Sequence, residues 1–102
     1  MPHHVVMPFQ VGGFRGPELA SHLNAVREAI AAQENISGAT VRRDDQSDAV
    51  TVQFDVASDD YKVVTRSAIR VVKSAVVSVV SVVSGAAWQN WTHDGPTRIT
   101  AN

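Results

Sequence analysis

Four histidines and two tryptophans are the residues of this chain with the widest chemical reach. Trp88 and Trp91 stand three apart in "GAAWQNWTHD", residues 85 to 94. In a regular strand that spacing puts them on opposite faces, one ring beneath any covering helices and the other on the open face. A tryptophan on an open sheet face commonly anchors an interface or a ligand. The alternative is a bulge, or a strand end after Trp88, that turns both rings into the core. His3 or His4 with His93 and Asp94 would form an N,N,O ligand set for zinc or nickel if the start of the first strand met the end of the last. Solvated histidines at a sheet rim are the plainer reading, and no metal and no cofactor is assigned. His22 lies beside Leu19 and Leu23 and reads as a boundary residue rather than a base. No serine has a recognisable His and Asp/Glu relay.

The glycines of "VGGFRGPEL" are the next candidates. Gly12, Gly13 and Gly16 would line the loop of a small-molecule site, or they simply make a turn. Asp44, Asp45 and Asp48 fall in a polar turn, where solvated charges are expected. Asp59 and Asp60 read as a helix start.

The bulk composition narrows the field. A chain of 102 residues is one domain. Without cysteine it has neither disulfides nor thiolate metal sites. Nine basic and ten acidic residues give a net charge of −1, which argues against a dedicated nucleic-acid or anionic-membrane binder. The opening "MPHHVVMPFQ" has neither the basic start nor the apolar core of a secretory signal. The expectation is a soluble cytoplasmic protein.

These residues need elements to position them. "HVVMPFQV" alternates, with Val5, Met7, Phe9 and Val11 on one face, and forms a first strand with Pro8 as its one flaw. Pro17 opens a helix over about residues 17 to 34, where Leu19, Leu23, Val26 and Ile30 recur at helical spacing. "ATVRRDD" is a short strand. In "AVTVQFDVA", Val50, Val52, Phe54 and Val56 point inward while Thr51, Gln53 and Asp55 point out. "SDD" supplies a Ser or Asp cap for a second helix.

The most unusual stretch is "VVKSAVVSVVSVVSG", residues 71 to 85. Strands need period two, and the Val-Val-Ser pattern has period three. At helical spacing Val64, Ala68, Ile69, Val71, Val72, Ala75, Val76, Val79, Val80, Val82 and Val83 share one side, leaving only Val77 out of place. The apolar run from Ser74 to Trp88 is shorter than the roughly 20 residues a bilayer crossing needs. It is therefore a soluble helix of β-branched residues, which packing must support because propensity does not. Its apolar arc is about twice as wide as the roughly 100° that one sheet contact uses. Self-association through that arc is expected over the alternative, in which the neighbouring helix covers the excess.

With "GAAWQNWTHD" as a fourth strand, the order β-α-β-β-α-β gives an α+β, ferredoxin-like fold over residues 1–94. A four-stranded antiparallel sheet of order 4-1-3-2 carries both helices on one face, and residues 95–102 form a flexible C-terminal tail. RNA-recognition domains share this layout but stack bases on the central strands, where Phe54 belongs to the core face. Heavy-metal-associated domains place two cysteines in the first loop, and this loop has none. "GPELASHL" and "ENISGATVRR" resemble the first turn and first helix exit of ACT-type regulatory domains, over roughly residues 11 to 56. The departures are an inverted Gly-Pro order and longer helices, the second much longer. That resemblance implies amino acids or similar small molecules bound between copies, with Gly12, Gly13 and Gly16 at the ligand loop.

The leading expectation is a non-enzymatic, self-associating interaction or assembly module. Its interface would draw on Trp88, Trp91, Val76, Val80, Val83, Arg42 and Gln53, facing copies of itself or a larger protein, with no nucleic acid and no membrane. Two alternatives stand beside it: a small-molecule-sensing regulatory domain, and a cofactor-free monooxygenase or isomerase with a Trp, a His and Tyr61 around a cavity.

Overall fold

The computed structural model describes residues 2–14, 16–44, 49–79 and 87–101. In chain order they form β1 (His3–Val11), α1 (Gly16–Ala31), β2 (Ile36–Arg43), β3 (Ala49–Val56), α2 (Tyr61–Val79), a 3-10 turn (Ala87–Asn90), β4 (Trp91–His93) and β5 (Arg98–Ala101). The result is an α+β domain with an antiparallel sheet and two helices, consistent with the ferredoxin-like plan.

The period-two patterns produce the core they promise. Val5, Met7, Phe9 and Val11 of β1 and Val50, Val52, Phe54 and Val56 of β3 are all buried. Above them pack Leu19, Leu23, Val26 and Ile30 of α1 and the valine–alanine face of α2. The opposite sheet face carries His4, Val6, Pro8, Thr51, Gln53 and Asp55, all half-buried among one another.

The expected four-stranded sheet is corrected at one edge. Strands run β2-β3-β1-β4, and β5 also pairs with β1, making five. β4 takes Phe9 to Val11 and β5 takes His3 to Val6. The break between them falls beside Pro8. The N–H and C=O of a strand residue point to the same side. The Pro8 carbonyl accepts from the Asp94 amide at 2.9 Å, so its missing donor faces the same edge, where no strand partner has to be supplied. The assigned tail, residues 95–102, thus includes a paired strand at Arg98–Ala101.

Two further boundaries move. α1 starts at Gly16 and ends at Ala31, and the chain reverses through Asn35, which has a left-handed φ of 66°. The stretch expected as one strand from residue 85 contains the turn Ala87–Asn90 and becomes strand only at Trp91.

α2 is a helix over its described length despite its valines. Asp60 caps it, its carboxylate accepting from the Lys62 amide at 2.9 Å. Thr65, Ser67 and Ser78 return their hydroxyl protons to carbonyls of the preceding turn. Val64, Ala68, Val71, Val72, Ala75, Val76 and Val79 are buried, whereas Ile69 and Val77 are exposed. Val76, assigned to an interface, is 0% exposed and belongs to this domain's own core. The neighbouring helix α1 packs along α2, and Gln33 donates to the Val71 carbonyl at 2.9 Å. Val80 and Val83, with Val82, lie outside the described residues, as do Asp45 and Asp48. Among the described residues no helix is long and apolar enough to cross a membrane.

Candidate functional site

One end of the sheet collects most of the chemically capable side chains. On α1, His22 follows Leu19 by three residues and precedes Val26 by four, which places it at the margin of the buried stripe. From there it reaches Trp91, whose register partner Val11 shares its inward face. The Trp91 indole Nε1–H donates to His22 Nε2 at 3.1 Å. Phe14 stacks on the imidazole at 4.4 Å and 16°. Phe9 meets the Trp91 ring edge-on at 5.3 Å and the Trp88 ring at 6.3 Å. His93, opposite Phe9 in the sheet, stacks on it at 4.9 Å and 7°.

Both tryptophans therefore approach Phe9 from the core side, and neither ring anchors the open sheet face. The expectation of opposite faces assumed an extended backbone from Trp88 to Trp91. The 3-10 turn replaces it, and in that geometry positions three apart eclipse one another.

The glycine loop forms the rim of the same cluster. The Gly12 amide donates to the Asn90 carbonyl at 3.1 Å. Gly13 has a left-handed φ of 83°, and a Cβ there would sit 2.9 Å from Asn90 Nδ2. The left-handed backbone is what favours glycine at Gly13, since the Asn90 amide is the end of an exposed side chain that can move aside, whereas a Cβ on Gly12 would touch nothing within 4 Å. Gly16 opens α1. The ligand loop assigned to Gly12, Gly13 and Gly16 thus leads directly to Phe14 and His22.

His22 is the unusual group. An indole N–H can only donate, so His22 Nε2 must hold a lone pair and the ring proton sits on Nδ1. That Nδ1 is buried and has no hydrogen-bond partner among the described residues. An unsatisfied buried donor costs about 1–3 kcal/mol. Desolvation by burial lowers the His22 pKa below its ordinary value of 6.5. The neutral ring can donate one hydrogen bond to a carbonyl or an oxyanion. It cannot act as a base through Nε2 without breaking the Trp91 bond.

The other histidines go elsewhere. His3 is buried and donates to the Ser58 carbonyl at 2.7 Å. His4, on the open face, donates to Asp55 at 2.8 Å and lies 3.3 Å from the Gln53 side-chain oxygen. His3 pairs with Ala101 while His93 pairs with Phe9. Six residues of β1, roughly 20 Å, separate His3 from the position opposite His93, so the N,N,O set of His3 or His4 with His93 and Asp94, considered beside the plainer reading of solvated rim histidines, is not brought together. No group of three or more metal-ligating side chains occurs among the described residues. Tyr61 is exposed and lies near His3 at the far end of β1, so the Trp–His cluster forms without it.

Arg42 and Gln53 do occupy the open sheet face. Arg42 pairs with Thr51, and Gln53 with Thr40 and Val6. A cleft of about 300 Å³ lies on this face between Val6, Pro8 and Thr51 and the chain from Asp94 to Arg98.

Fold and geometry together define a small ferredoxin-like α+β domain with a histidine–indole pair at one end of its sheet. No protein-family profile matches the chain, and no curated protein matches it in sequence. Among solved structures, Rv0793 from Mycobacterium tuberculosis is similar in fold, with a TM-score of 0.59 at 12% sequence identity. The alignment covers 100% of this chain and 95% of that one. At that identity the likeness speaks to fold alone.

The sequence places His22 at the boundary of the α1 stripe but does not reveal its bond to Trp91. The signal was there, a histidine at the margin of an apolar stripe, but its partner lies 69 residues away.

Proposed function

We propose that this chain is a small-molecule-binding domain whose ligand presents an oxygen acceptor to His22 Nδ1–H, among the rings of Phe14, Trp88 and Trp91. One observation carries the reading: among the described residues a buried donor is left without an acceptor, and a ligand carbonyl or phenolate would supply one. The surrounding aromatic rings suit a planar apolar body, as ligand sites commonly do. Binding rather than catalysis is the better account, because the group that faces the rings is the His22 Nδ1–H donor, while Nε2 of the same ring is held by Trp91. The chain's two tryptophans both lie in this cluster, so their fluorescence reports on it. A panel of aromatic carbonyl compounds titrated against that signal should give saturable quenching that His22→Phe weakens at least about tenfold, the share of one hydrogen bond to a buried group. Equal affinity in the variant would remove His22 from the site.

A second reading is self-association through the open sheet face. What favours it is a face left uncovered by the helices that carries both signs of charge, with His4 beside Asp55 and Arg42 one strand away. A two-fold interface must complement itself, and a mixed-sign face can do so. Light scattering across concentrations should then show a dimer that Arg42→Glu weakens. A monomer at all concentrations would set this reading aside.

A further inference from the structure

β2 is an open edge of the sheet. Among the described strands it has a neighbour on one side only, β3. The Asp44 amide donates to the Ala49 carbonyl at 2.9 Å, just beyond the last register pair, Arg43 with Val50. Hydrogen-bonded positions alternate along an antiparallel pair, so Thr40 and Arg42, opposite Gln53 and Thr51, also turn their N–H and C=O toward β3. Val41 and Arg43 therefore present theirs to the free side. Toward Ser37 the register shifts and Gly38 takes a left-handed φ of 62°, an irregularity that confines the regular edge to residues 40 to 43.

The side chains of the same two residues line a cleft. Val41 lies opposite Val52 and packs against the core from the helix side, and Arg43, two residues on, shares that face. With Ala20, Leu23, Asn24 and Arg27 of α1 they enclose about 250 Å³. Leu23 is buried and Val41 half-buried, whereas Arg43 is exposed. The Asn24 side-chain oxygen accepts from the Arg27 guanidinium at 3.1 Å, and Glu28 stands off at 3.8 Å. Arg42 projects from the opposite face. A strand laid along this edge thus meets free backbone groups between cations on both of its faces.

We infer that β2 accepts an extended acidic segment of another protein as an added antiparallel strand. Main-chain hydrogen bonds to Val41 and Arg43 hold it, and the two residues opposite them send their side chains toward the cleft. The residue facing Arg43 is a glutamate, and the next, facing Arg42 on the open side, is a second acid. The third, facing Val41, is apolar. Charge selects this occupant over a second copy of the chain. In the register that pairs Val41 with Arg43, a copy would set its Arg42 directly against this one, and like charges opposite one another oppose pairing. The edge is separate from the His22 cluster, and its occupancy does not depend on what that cluster binds.

The test is an NMR titration of the full chain with the peptide acetyl-Thr-Thr-Glu-Glu-Val-Thr-Thr-amide, following backbone amides. Saturable shifts are expected at residues 40 to 43 and 20 to 27, with the amides of Phe14 and Trp91 unmoved. Hydrogen exchange at the Val41 and Arg43 amides should slow at least about tenfold under saturating peptide. N-methylation of the first glutamate removes the N–H that faces the Arg43 carbonyl and should cost at least about tenfold in affinity. The N–H of the second glutamate points away from β2, so its methylation should change affinity by no more than about twofold. Arg43→Glu should weaken the peptide at least about tenfold, and because the side chain is exposed the folded spectrum should persist. The inference is overturned by no saturable shift by about 1 mM peptide, by equal losses from the two methyl groups, or by equal affinity when lysine replaces both glutamates. Shifts at Val41 and Arg43 that grow with protein concentration in the absence of peptide would assign the edge to a second copy and overturn the acidic partner.

Discussion

Trp91 donates its indole proton to His22 Nε2 at 3.1 Å, and this bond fixes the remaining imidazole proton on the buried Nδ1, which has no partner among the described residues. A contact between α1 and the last edge of the sheet thereby decides what the histidine can offer a ligand. Replacing Trp91 by Phe removes the donor and orphans a second buried nitrogen. We expect a loss of at least about 1–3 kcal/mol in urea unfolding. A loss under about 0.5 kcal/mol, the range of an ordinary surface change, would show that the bond contributes nothing.

The pH dependence has a defined sign. Burial lowers the folded-state pKa of His22 below 6.5, so between that pKa and 6.5 the unfolded chain holds more protons than the folded one. Stability then rises with pH across this window, is complete above 6.5, and is lost as pH falls toward the folded pKa. His22→Phe should flatten that part of the profile. Denaturant midpoints collected in half-unit steps from about pH 7 to 5 would show it, and parallel profiles in both proteins would rule out His22 as the source.

Gly12 and Gly13 are adjacent and should answer differently to the same substitution. Gly13→Ala combines a left-handed backbone with a 2.9 Å approach to Asn90. It should cost at least about 1–2 kcal/mol and shift tryptophan emission through the Trp88–Trp91 turn. Gly12→Ala has open space and should stay within about 0.5 kcal/mol. Equal effects in thermal melts would mean that the loop does not hold this turn.

Val76 and Val77 divide the two faces of α2. Val76 is fully buried, so Val76→Asp should abolish the cooperative unfolding transition rather than release a soluble monomer. Val77 is 51% exposed, and Val77→Ser should change stability by no more than about 0.5 kcal/mol. A folded, monomeric Val76→Asp protein seen by circular dichroism and light scattering would restore the interface role first assigned to Val76.

Much of this architecture is legible in the chain. Alternation at Val5 to Val11 and at Val50 to Val56 names the inward faces of two strands, because pleating fixes side-chain direction locally. The i, i+4, i+7 spacing of Leu19, Leu23 and Val26 does the same for α1, and the serine–valine period identified α2 as a helix although its composition favours strand. The Asp60 cap was equally readable.

What the tertiary structure alone decided are the features that depend on partners far along the chain. Pro8 marks a flaw in β1, but only pairing shows that the flaw coincides with the gap between β4 and β5. Spacing assigned Trp88 and Trp91 to opposite faces, and a 3-10 turn held against Gly12 and Gly13 brought both to Phe9. That α1 lies along α2 is likewise a fact of packing that the width of the apolar face of α2 does not state. Periodicity states which way a side chain points within its own element. Which distant element meets it is set by the one global packing that buries all those faces together, and the bond from Trp91 to His22 exists only in that packing.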